Sequence, residues 1–303
     1  MYDLIIIGAG PAGVTAAVYA ARKQMNFIVI TDDIGGQATW SGDIENYTGY
    51  QFITGTELVN KFEEHMQKYN VSLKDGEKVI SCKKALEGNF VTVTTEKGEV
   101  FEAKTVIIAS GKRSRELGVP GELEFRKRGV TYCATCDGPL YAGKKVAVIG
   151  SGNSGLEAVL QLMNIATHIY LIDITHQLMG DPILQEKITK SDKVSIMMNT
   201  QVTEIRGNQF VESIKILSEK KEKKLSVEGV FVEVGLIPNS DFVGDVAKNQ
   251  WGEVIVNNRN ETNIPAVFAA GDVTDVPEKQ IIIAAGEGSK ACLSAFSYLA
   301  HQK

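Results

Sequence analysis

Two cysteines separated by two residues, Cys133 and Cys136, are followed directly by Asp137. Such a pair can close a small disulfide, and beside a βαβ pattern it suggests thiol-disulfide chemistry. When a disulfide is reduced, one sulfur leaves as a thiolate and the other product takes a proton. The carboxyl group of Asp137 is placed to supply or remove that proton. The pattern therefore indicates a redox site.

A metal site is the main chemical alternative for this pair. Structural zinc usually takes four ligands, whereas the two other cysteines, Cys82 and Cys292, and the 4 histidines are scattered along the chain. We therefore predict no metal. Inert core thiols or a structural disulfide stay open from the pair alone.

Length and composition limit the classes of function. The chain has 303 residues, more than one typical domain, and 44% of them are hydrophobic, so two domains with separate cores are expected. A net charge of -5 argues against nucleic acid or an anionic membrane as the main partner. No apolar stretch approaches the roughly 20 residues of a membrane span, and Met1 leads directly into a strand rather than a signal peptide. We expect a cytoplasmic protein.

The chain contains a repeat in which an apolar strand, a glycine-rich turn, a helix and a second strand follow one another. The first copy comprises Leu4–Ile7, Gly8–Gly13, a helix to Lys23, and Phe27–Ile30; the second, 142 residues later, comprises Val146–Ile149, Gly150–Gly155, Leu156–Ile165 and Ile169–Ile172. Glycines allow the tight turn and the close approach of a pyrophosphate to the helix N-terminus. Two such turns in register predict two dinucleotide sites.

The two copies differ at the end of the second strand. An acidic residue about 20 positions after the glycines accepts a hydrogen bond from a ribose hydroxyl. Asp173 has this place in the second copy, and Thr31 has it in the first. Ile174 and Thr175 follow Asp173, with no arginine nearby to hold a 2′-phosphate. The second site is therefore predicted to prefer NADH over NADPH.

Further elements complete two domains. Gly35-Gly36-Gln37 is a turn where backbone can approach a ligand. The predicted elements are a helix at Thr56–Tyr69, a meander of Val79–Ser81, Phe90–Thr95 and Val100–Glu102, a parallel strand at Thr105–Ala109, a charged hairpin tip at Glu219–Lys224, a core strand at Val267–Ala270 and a helix at Gln280–Ala300. Returning the tail to the first domain gives one domain of residues 1–116 and 240–303 and another of residues 117–239.

Motifs along the whole chain carry a family resemblance. They are GAGPAG at Gly8, GGQ at Gly35, ENYTG at Glu45, CATCDGPL at Cys133, GSGNSG at Gly150 and FAAGDV at Phe268. The chain resembles low-molecular-weight thioredoxin reductases. From Val130 to Ser297 it also resembles the flavoprotein subunit of alkyl hydroperoxide reductase, which carries extra N-terminal thioredoxin-like domains. The resemblance implies an α/β fold with two Rossmann-like, three-layer ββα domains of the pyridine nucleotide-disulfide oxidoreductase type.

The resemblance also implies FAD in the first domain and a nicotinamide nucleotide in the second. The implied FAD residues are Gly8, Gly10, Pro11, Ala12 and Gly13 at the pyrophosphate, Gly35, Gly36, Gln37 and Asn46 along the flavin and its ribityl side, Val79 at the adenine through its backbone, Asp272 at the ribityl chain, and Gln280 and Ile281 at the flavin pyrimidine edge. The implied NADH residues are Gly150, Gly152, Asn153, Ser154, Gly155 and Asp173.

By the same resemblance, Cys136 faces the flavin, Cys133 attacks the disulfide of a thioredoxin-like or glutaredoxin-like protein, and Asp137 moves the proton. One domain rotates against the other about hinges near Leu117 and Asn239. The expected assembly is a homodimer.

Three other hypotheses stay open. NADPH-dependent thioredoxin reductases carry His-Arg-Arg where this chain has Asp173, Ile174 and Thr175, and a related branch takes electrons from reduced ferredoxin instead. The protein could also be the reductase component of a peroxiredoxin system, with a separate carrier protein. Finally, it could be a non-catalytic flavin-binding, redox-sensing module.

Overall fold

The computed structural model describes residues 1–40, 43–44, 46–85 and 88–302. The chain forms two compact units, Met1–Arg113 with Ile237–Lys303 and Ser114–Leu236. The boundaries predicted from the sequence lie three residues further along the chain at both crossings. The assignment of FAD to the first unit and of the nicotinamide nucleotide to the second stays a prediction.

The helices and strands up to the first crossing between the units are, in chain order, β1 Tyr2–Ala9, α1 Pro11–Arg22, β2 Phe27–Ile34, β3 Asp43–Ile44, β4 Ile53–Thr54, α2 Gly55–Lys68, β5 Leu73–Lys74, β6 Val79–Lys84, β7 Val91–Thr95, β8 Val100–Ile108 and β9 Lys112–Ser114. The second unit contains β10 Val130–Thr131, α3 Ala134–Asp137, β11 Lys145–Ile149, α4 Asn153–Leu162, β12 His168–Ile172, α5 Pro182–Thr189, β13 Val194–Met197, β14 Thr200–Gly207, β15 Val211–Ser218, β16 Lys221–Ser226 and β17 Gly229–Val232. The chain then continues through β18 Leu236–Pro238, β19 Val267–Ala269 and α6 Ile281–His301. β9 pairs with β18 where the chain passes between the units.

The first unit is built on a mixed sheet with the order β5-β2-β1-β8-β7-β6, and β19 also pairs with β8. Strands β2, β1, β8 and β19 run parallel, and β6 and β7 add an antiparallel edge. Leu4, Ile5 and Ile6 are fully buried, because a central parallel strand is covered on both faces. α1 and α6 pack on one face, with Gly288 so close that an added Cβ would meet the Ala12 carbonyl oxygen at 1.9 Å.

The second unit repeats this plan around a parallel sheet with the order β10-β17-β11-β12-β13. A separate antiparallel sheet, β14-β15-β16, packs beside it through a shared core that includes Ile149, Val230 and Ile214. α4 covers the other face with Leu156, Val159 and other apolar side chains. The carboxyl ends of β10, β17, β11 and β12 therefore lie along one edge of the sheet.

Several predicted elements were wrong in their limits. The predicted strands Val100–Glu102 and Thr105–Ala109 are one strand, β8, which ends at Ile108 and in which the exposed Glu102 and Lys104 flank the buried Ala103. Residues Lys221–Lys224, predicted as part of a hairpin tip, belong to β16, and the turn is made by Glu219 and Lys220. β16 has exposed polar side chains and thus no apolar alternation to indicate a strand. Within the described residues, no helix has the length and apolarity needed to cross a membrane.

Candidate functional site

Cys133, the predicted redox cysteine, lies two residues after the end of β10 and is disulfide-bonded. Its N–H donates to Thr131 Oγ1 at 3.2 Å, and the Thr131 hydroxyl donates in turn to Asp137 Oδ2. The Asp137 N–H donates to the Cys133 carbonyl at 3.2 Å. Thr131 thus fixes both Cys133 and Asp137. The side chain of Cys136 lies outside the described part of the chain, and its predicted role stays a prediction.

The second glycine turn joins β11 to α4 in the same unit. Gly150 has φ +112°, and a Cβ there would lie 2.2 Å from the Glu233 carbonyl oxygen. At Gly155 a Cβ would lie 2.0 Å from the Gly150 carbonyl oxygen. Only glycine fits either position. Asn153 and Ser154 begin α4 with exposed side chains, and Gly152 precedes them, so the predicted nucleotide residues lie together at a helix N-terminus.

Asp173 follows β12 and holds this turn. Its Oδ2 accepts from the Ser151 N–H at 2.6 Å, and its Oδ1 accepts from the Thr175 N–H at 2.8 Å and the Thr175 hydroxyl at 2.9 Å. Burial alone would raise the pKa of Asp173, but these hydrogen bonds outweigh it and leave the pKa below its ordinary value. The side chain is therefore a carboxylate that can still accept from ribose hydroxyls.

The first glycine turn has the same construction. Gly8 has φ +101°, and a Cβ there would lie 2.4 Å from the Ala109 carbonyl oxygen; a Cβ at Gly13 would lie 1.8 Å from the Gly8 carbonyl oxygen. The Ala9 N–H donates to Thr31 Oγ1 at 3.1 Å, just as the Ser151 N–H donates to Asp173. Pro11 and Ala12 open α1. The repeat predicted from the sequence is thus a repeat of geometry, with Thr31 in place of the acid.

Of the remaining predicted FAD residues, Gly35 and Gly36 lie beside this turn, and Asn46 contacts Gln280. An added Cβ at Gly36 would lie 3.7 Å from Gly10 Cα, and one at Gly10 would lie 3.9 Å from the Gly35 carbonyl oxygen, so two glycine loops face each other. Asn46 Nδ2 donates to Gln280 Oε1 at 3.0 Å although 234 positions separate them in the chain.

The other predicted FAD residues are placed as follows. Gln37 Nε2 donates to the Lys112 carbonyl at 3.1 Å. Ile281 is half-buried and packs against the small apolar cluster that includes Ile44 and Leu58. Val79 buries its side chain in the core and pairs with Thr95 of β7, and its backbone contact with the adenine stays a prediction.

Asp272 lies in a cluster of charges. Burial raises the pKa of Asp272, and the positive charges of Lys279 and Lys112 oppose that rise. Both lysines also bind Glu253 Oε1, Lys112 at 2.7 Å and Lys279 at 3.2 Å. The Gly271 N–H donates to Glu287 Oε2 at 2.9 Å. These anchors hold the loop that carries Asp272.

The first unit fits FAD on three observations. An added Cβ at Gly10 or Gly36 would meet nothing closer than 3.7 Å, so the two glycine loops leave room between them; the α1 N-terminus begins beside them; and Gly271, next to Asp272, approaches α1, since an added Cβ there would lie 3.0 Å from Ala12 Cβ. The glycines and the α1 N-terminus would hold the pyrophosphate. Across the described residues, no three His, Cys, Asp or Glu side chains converge as metal ligands.

Three carboxylates at these sites were missed from the sequence. Glu122 is 1% exposed and accepts from the Leu117 N–H at 2.8 Å, the Gly118 N–H at 2.7 Å and the Tyr132 hydroxyl at 2.8 Å. Glu287 is buried on α6 beside Gly271, and Glu233 follows β17. A signal existed for Glu287 alone, because a charged residue on the apolar face of a helix demands a partner.

Comparisons with known proteins agree with this geometry. The family described as pyridine nucleotide-disulphide oxidoreductase matches residues 2–288. The F subunit of alkyl hydroperoxide reductase in Pseudomonas putida is 44% identical over 302 residues, which are 98% of this chain and 58% of that protein. A protein named NADH dehydrogenase from Ferdinandcohnia aciditolerans is 40% identical over 301 residues, 98% of this chain and 57% of that protein. The crystal structure of Lactococcus lactis thioredoxin reductase in its FR conformation has a TM-score of 0.83 at 33% identity and covers 99% of this chain and 100% of that chain.

These matches confirm the resemblance drawn from the motifs and the predicted fold with two Rossmann-like domains. The chain spans 58% of the length of the hydroperoxide reductase relative and 57% of the other.

Proposed function

The chain belongs to the pyridine nucleotide-disulphide oxidoreductase family, and from this premise we propose that it passes electrons from NADH through FAD and the Cys133–Cys136 pair to the disulfide of a thioredoxin-like or glutaredoxin-like protein. The general prediction of a flavoenzyme acting as a disulfide oxidoreductase is confirmed by the comparisons. FAD and a nicotinamide nucleotide are the cofactors that membership implies. The donor, the path and the partner are our proposal.

One observation supports the proposal most strongly. The disulfide of Cys133, the glycine turn at Gly150 and the carboxylate of Asp173 follow strands of one parallel sheet, at its carboxyl edge. Ligands of open α/β sheets bind at that edge. A redox disulfide and a nucleotide turn therefore belong to one unit, while a second glycine turn with an FAD-compatible surround belongs to the other.

The residues would divide the work as follows. When bound, FAD supplies the uptake and release of an electron pair. Two electrons and one proton convert the disulfide into a Cys133 thiolate and a Cys136 thiol. Asp137, whose Oδ2 accepts a hydrogen bond from the Thr131 hydroxyl, would transfer the proton. The Cys133 thiolate attacks the partner disulfide, forms a mixed disulfide and releases a partner thiolate. Deprotonated Cys136 then attacks Cys133, which restores the internal disulfide and frees the reduced partner.

The choice of NADH rests on Asp173. Its carboxylate would accept a hydrogen bond from a 2′-hydroxyl and repel a 2′-phosphate. The neighbouring side chain of Ile174 is 72% exposed and has no charge to offset that repulsion. A relative of 40% identity is named NADH dehydrogenase, which is consistent with this choice.

A second candidate function is the reductase component of a peroxiredoxin system. It is favoured by the 44% identity to the F subunit of alkyl hydroperoxide reductase. Coupled assays with a peroxiredoxin and candidate carrier proteins would separate it from reduction of a general thioredoxin-like protein. A cytoplasmic homodimer stays a prediction that fractionation and light scattering would test.

Anaerobic stopped-flow reduction of the flavin by NADH, NADPH and reduced ferredoxin tests the donor. We expect NADH to be the fastest, with NADPH disfavoured by about tenfold or more, about 1.4 kcal/mol. If ferredoxin reduces the flavin and NADH does not, the role of Asp173 is wrong.

The disulfide is tested by Cys136→Ser, which should retain FAD and lose reductase turnover. Cys82→Ser is the matched control, because Cys82 is a buried free thiol. Unchanged turnover in Cys136→Ser would contradict the proposed path.

A further inference from the structure

Glu233 occupies the middle of the functional edge in the second unit. It follows β17, which lies between β10 and β11 in the sheet. Thr131 pairs with Phe231, and Ile149 pairs with Val232. Glu233 therefore lies between the segment that begins at Cys133 and the glycine turn that begins after Ile149.

The side chain of Glu233 contacts both neighbours. Its carboxyl accepts from the backbone N–H of Ala134, the residue after Cys133, and from the hydroxyl of Ser154 in the first turn of α4. The negative charge of Glu157, also on α4, repels the ionised form of Glu233. Burial raises the pKa of Glu233 to about 7, the two hydrogen bonds oppose the rise, and the Glu157 charge adds to it. This carboxyl thus changes charge in the neutral pH range.

The internal repeat shows that the fold does not need this carboxyl. In the first unit Ala109 has the equivalent place, because it follows β8 and its carbonyl oxygen lies against Gly8 as that of Glu233 lies against Gly150. The Cβ atoms agree as well: Ala109 Cβ would lie 3.5 Å from a Cβ at Gly13, and Glu233 Cβ 3.7 Å from a Cβ at Gly155. Alanine fills the position in one copy, so the carboxyl in the other copy serves something besides packing.

We propose that Glu233 is a positioning residue for the redox cysteine, whose charge sets the proton affinity of the Cys133 thiol through the Ala134 amide. The inference rests on the proposed function, in which the Cys133 thiolate is the nucleophile. An ionised Glu233 occupies an N–H that would otherwise stabilise that thiolate and places a like charge beside it. A protonated Glu233 lifts that repulsion, and the sulfur ionises more readily.

Two other acids bear on the same place. Asp137 belongs to the cysteine segment itself, and its Oδ2 is held by the Thr131 hydroxyl. Glu157 faces Glu233 from α4. Because Glu233 and the thiol repel each other when both are charged, each raises the pKa of the other, and the pair titrates together.

The test measures the alkylation rate of Cys133 by iodoacetamide in the reduced full-length protein. The protein is reduced with dithiothreitol, desalted anaerobically and alkylated between pH 5.5 and 9. The peptide form alkylated at Cys133 is then quantified by mass spectrometry. Burial raises the thiol pKa of Cys82 and of Cys292 to about 12, so both should stay unmodified. In the wild type, the rise of rate with pH should flatten near pH 7, where Glu233 ionises.

Glu233→Gln should match the wild type at pH 5.5, where glutamine mimics the protonated acid. It should react up to about tenfold faster at pH 8, the limit that a thiol pKa lower by about one unit sets. Glu228→Gln is the matched control, since it removes one charge from an exposed position just before the same strand and should leave the profile unchanged.

Two graded variants strengthen the test. Ser154→Ala removes a hydrogen bond to the ionised form and should move the flattening to higher pH, whereas Glu157→Gln removes a repelling charge and should move it to lower pH. Coincident profiles for the wild type and a folded Glu233→Gln would overturn the proposal. The assay uses neither donor nor flavin turnover, so a failure of the proposed function would show separately, as an inactive enzyme with the pH effect intact.

Discussion

Glu233→Gln should change how the stability of the second unit depends on pH. Burial raises the pKa of this carboxyl from 4.5 to about 7. Each pKa unit corresponds to about 1.4 kcal/mol, so the difference between the two protonation states is about 3 kcal/mol. A folded pKa above the unfolded one means that the folded protein binds the proton more tightly. The stabilisation is complete below about pH 4.5 and is lost as the pH rises through about 7.

Urea unfolding at pH 5.5 and pH 8, followed by signals from the second unit, measures this effect. From pH 5.5 to pH 8, the free energy of unfolding of the wild type should fall by about 2 kcal/mol relative to that of Glu233→Gln. Glu228→Gln should follow the wild type, because its side chain is exposed. If the wild type and Glu233→Gln lose stability in parallel, the Glu233 carboxyl does not take up a proton on folding.

Two further predictions concern the nucleotide turn. Gly155→Ala should lower the free energy of unfolding by about 1–3 kcal/mol, because the new Cβ would lie 2.0 Å from the Gly150 carbonyl oxygen. Gly152→Ala should keep the stability and weaken NADH binding, because an added Cβ there has nothing within 4 Å. Urea unfolding measures the stability of both variants, and fluorescence titration measures their NADH binding. Asp173→Asn should reduce the preference for NADH over NADPH about tenfold, about 1.4 kcal/mol, in steady-state kinetics, while Asp192→Asn, which removes an exposed charge, should not.

Each of these has an opposing result. Equal stability of Gly155→Ala and Gly152→Ala would mean that the turn relaxes around the new methyl group. An unchanged preference of Asp173→Asn for NADH over NADPH would mean that the carboxylate only accepts from the Ser151 amide and does not bind the ribose hydroxyl.

Features set by short-range sterics and chemistry were predictable from the sequence. Gly8 and Gly150 require positive φ and leave no room for a Cβ, so their spacing predicts the turn. The two-residue gap between Cys133 and Cys136 is equally local. Asp173 was predictable because its distance from the glycines is fixed by one helix and one strand.

Features that depend on strand order were not predictable from local pattern. Glu233 lies 83 positions after Gly150 in the chain, and only the insertion of β17 between β10 and β11 brings it to the turn and to Ala134. The buried pair of Lys112 and Glu253 is separated by 141 positions. The resemblance placed Asn46 and Gln280 at the flavin separately, and their hydrogen bond to each other was not predicted, since no spacing rule joins residues so far apart.

The discontinuous first unit has a consequence for synthesis on the ribosome. β19 and α6 leave the ribosome only after the whole of Ser114–Leu236, so until then β8 lacks one neighbour and the surface of α1 that α6 covers is exposed. The second unit can finish folding while the first unit is still incomplete, and the incomplete first unit exposes apolar surface during that time. We expect nascent chains stalled before Val267 to need chaperone protection that the released chain, with β19 and α6 in place, does not.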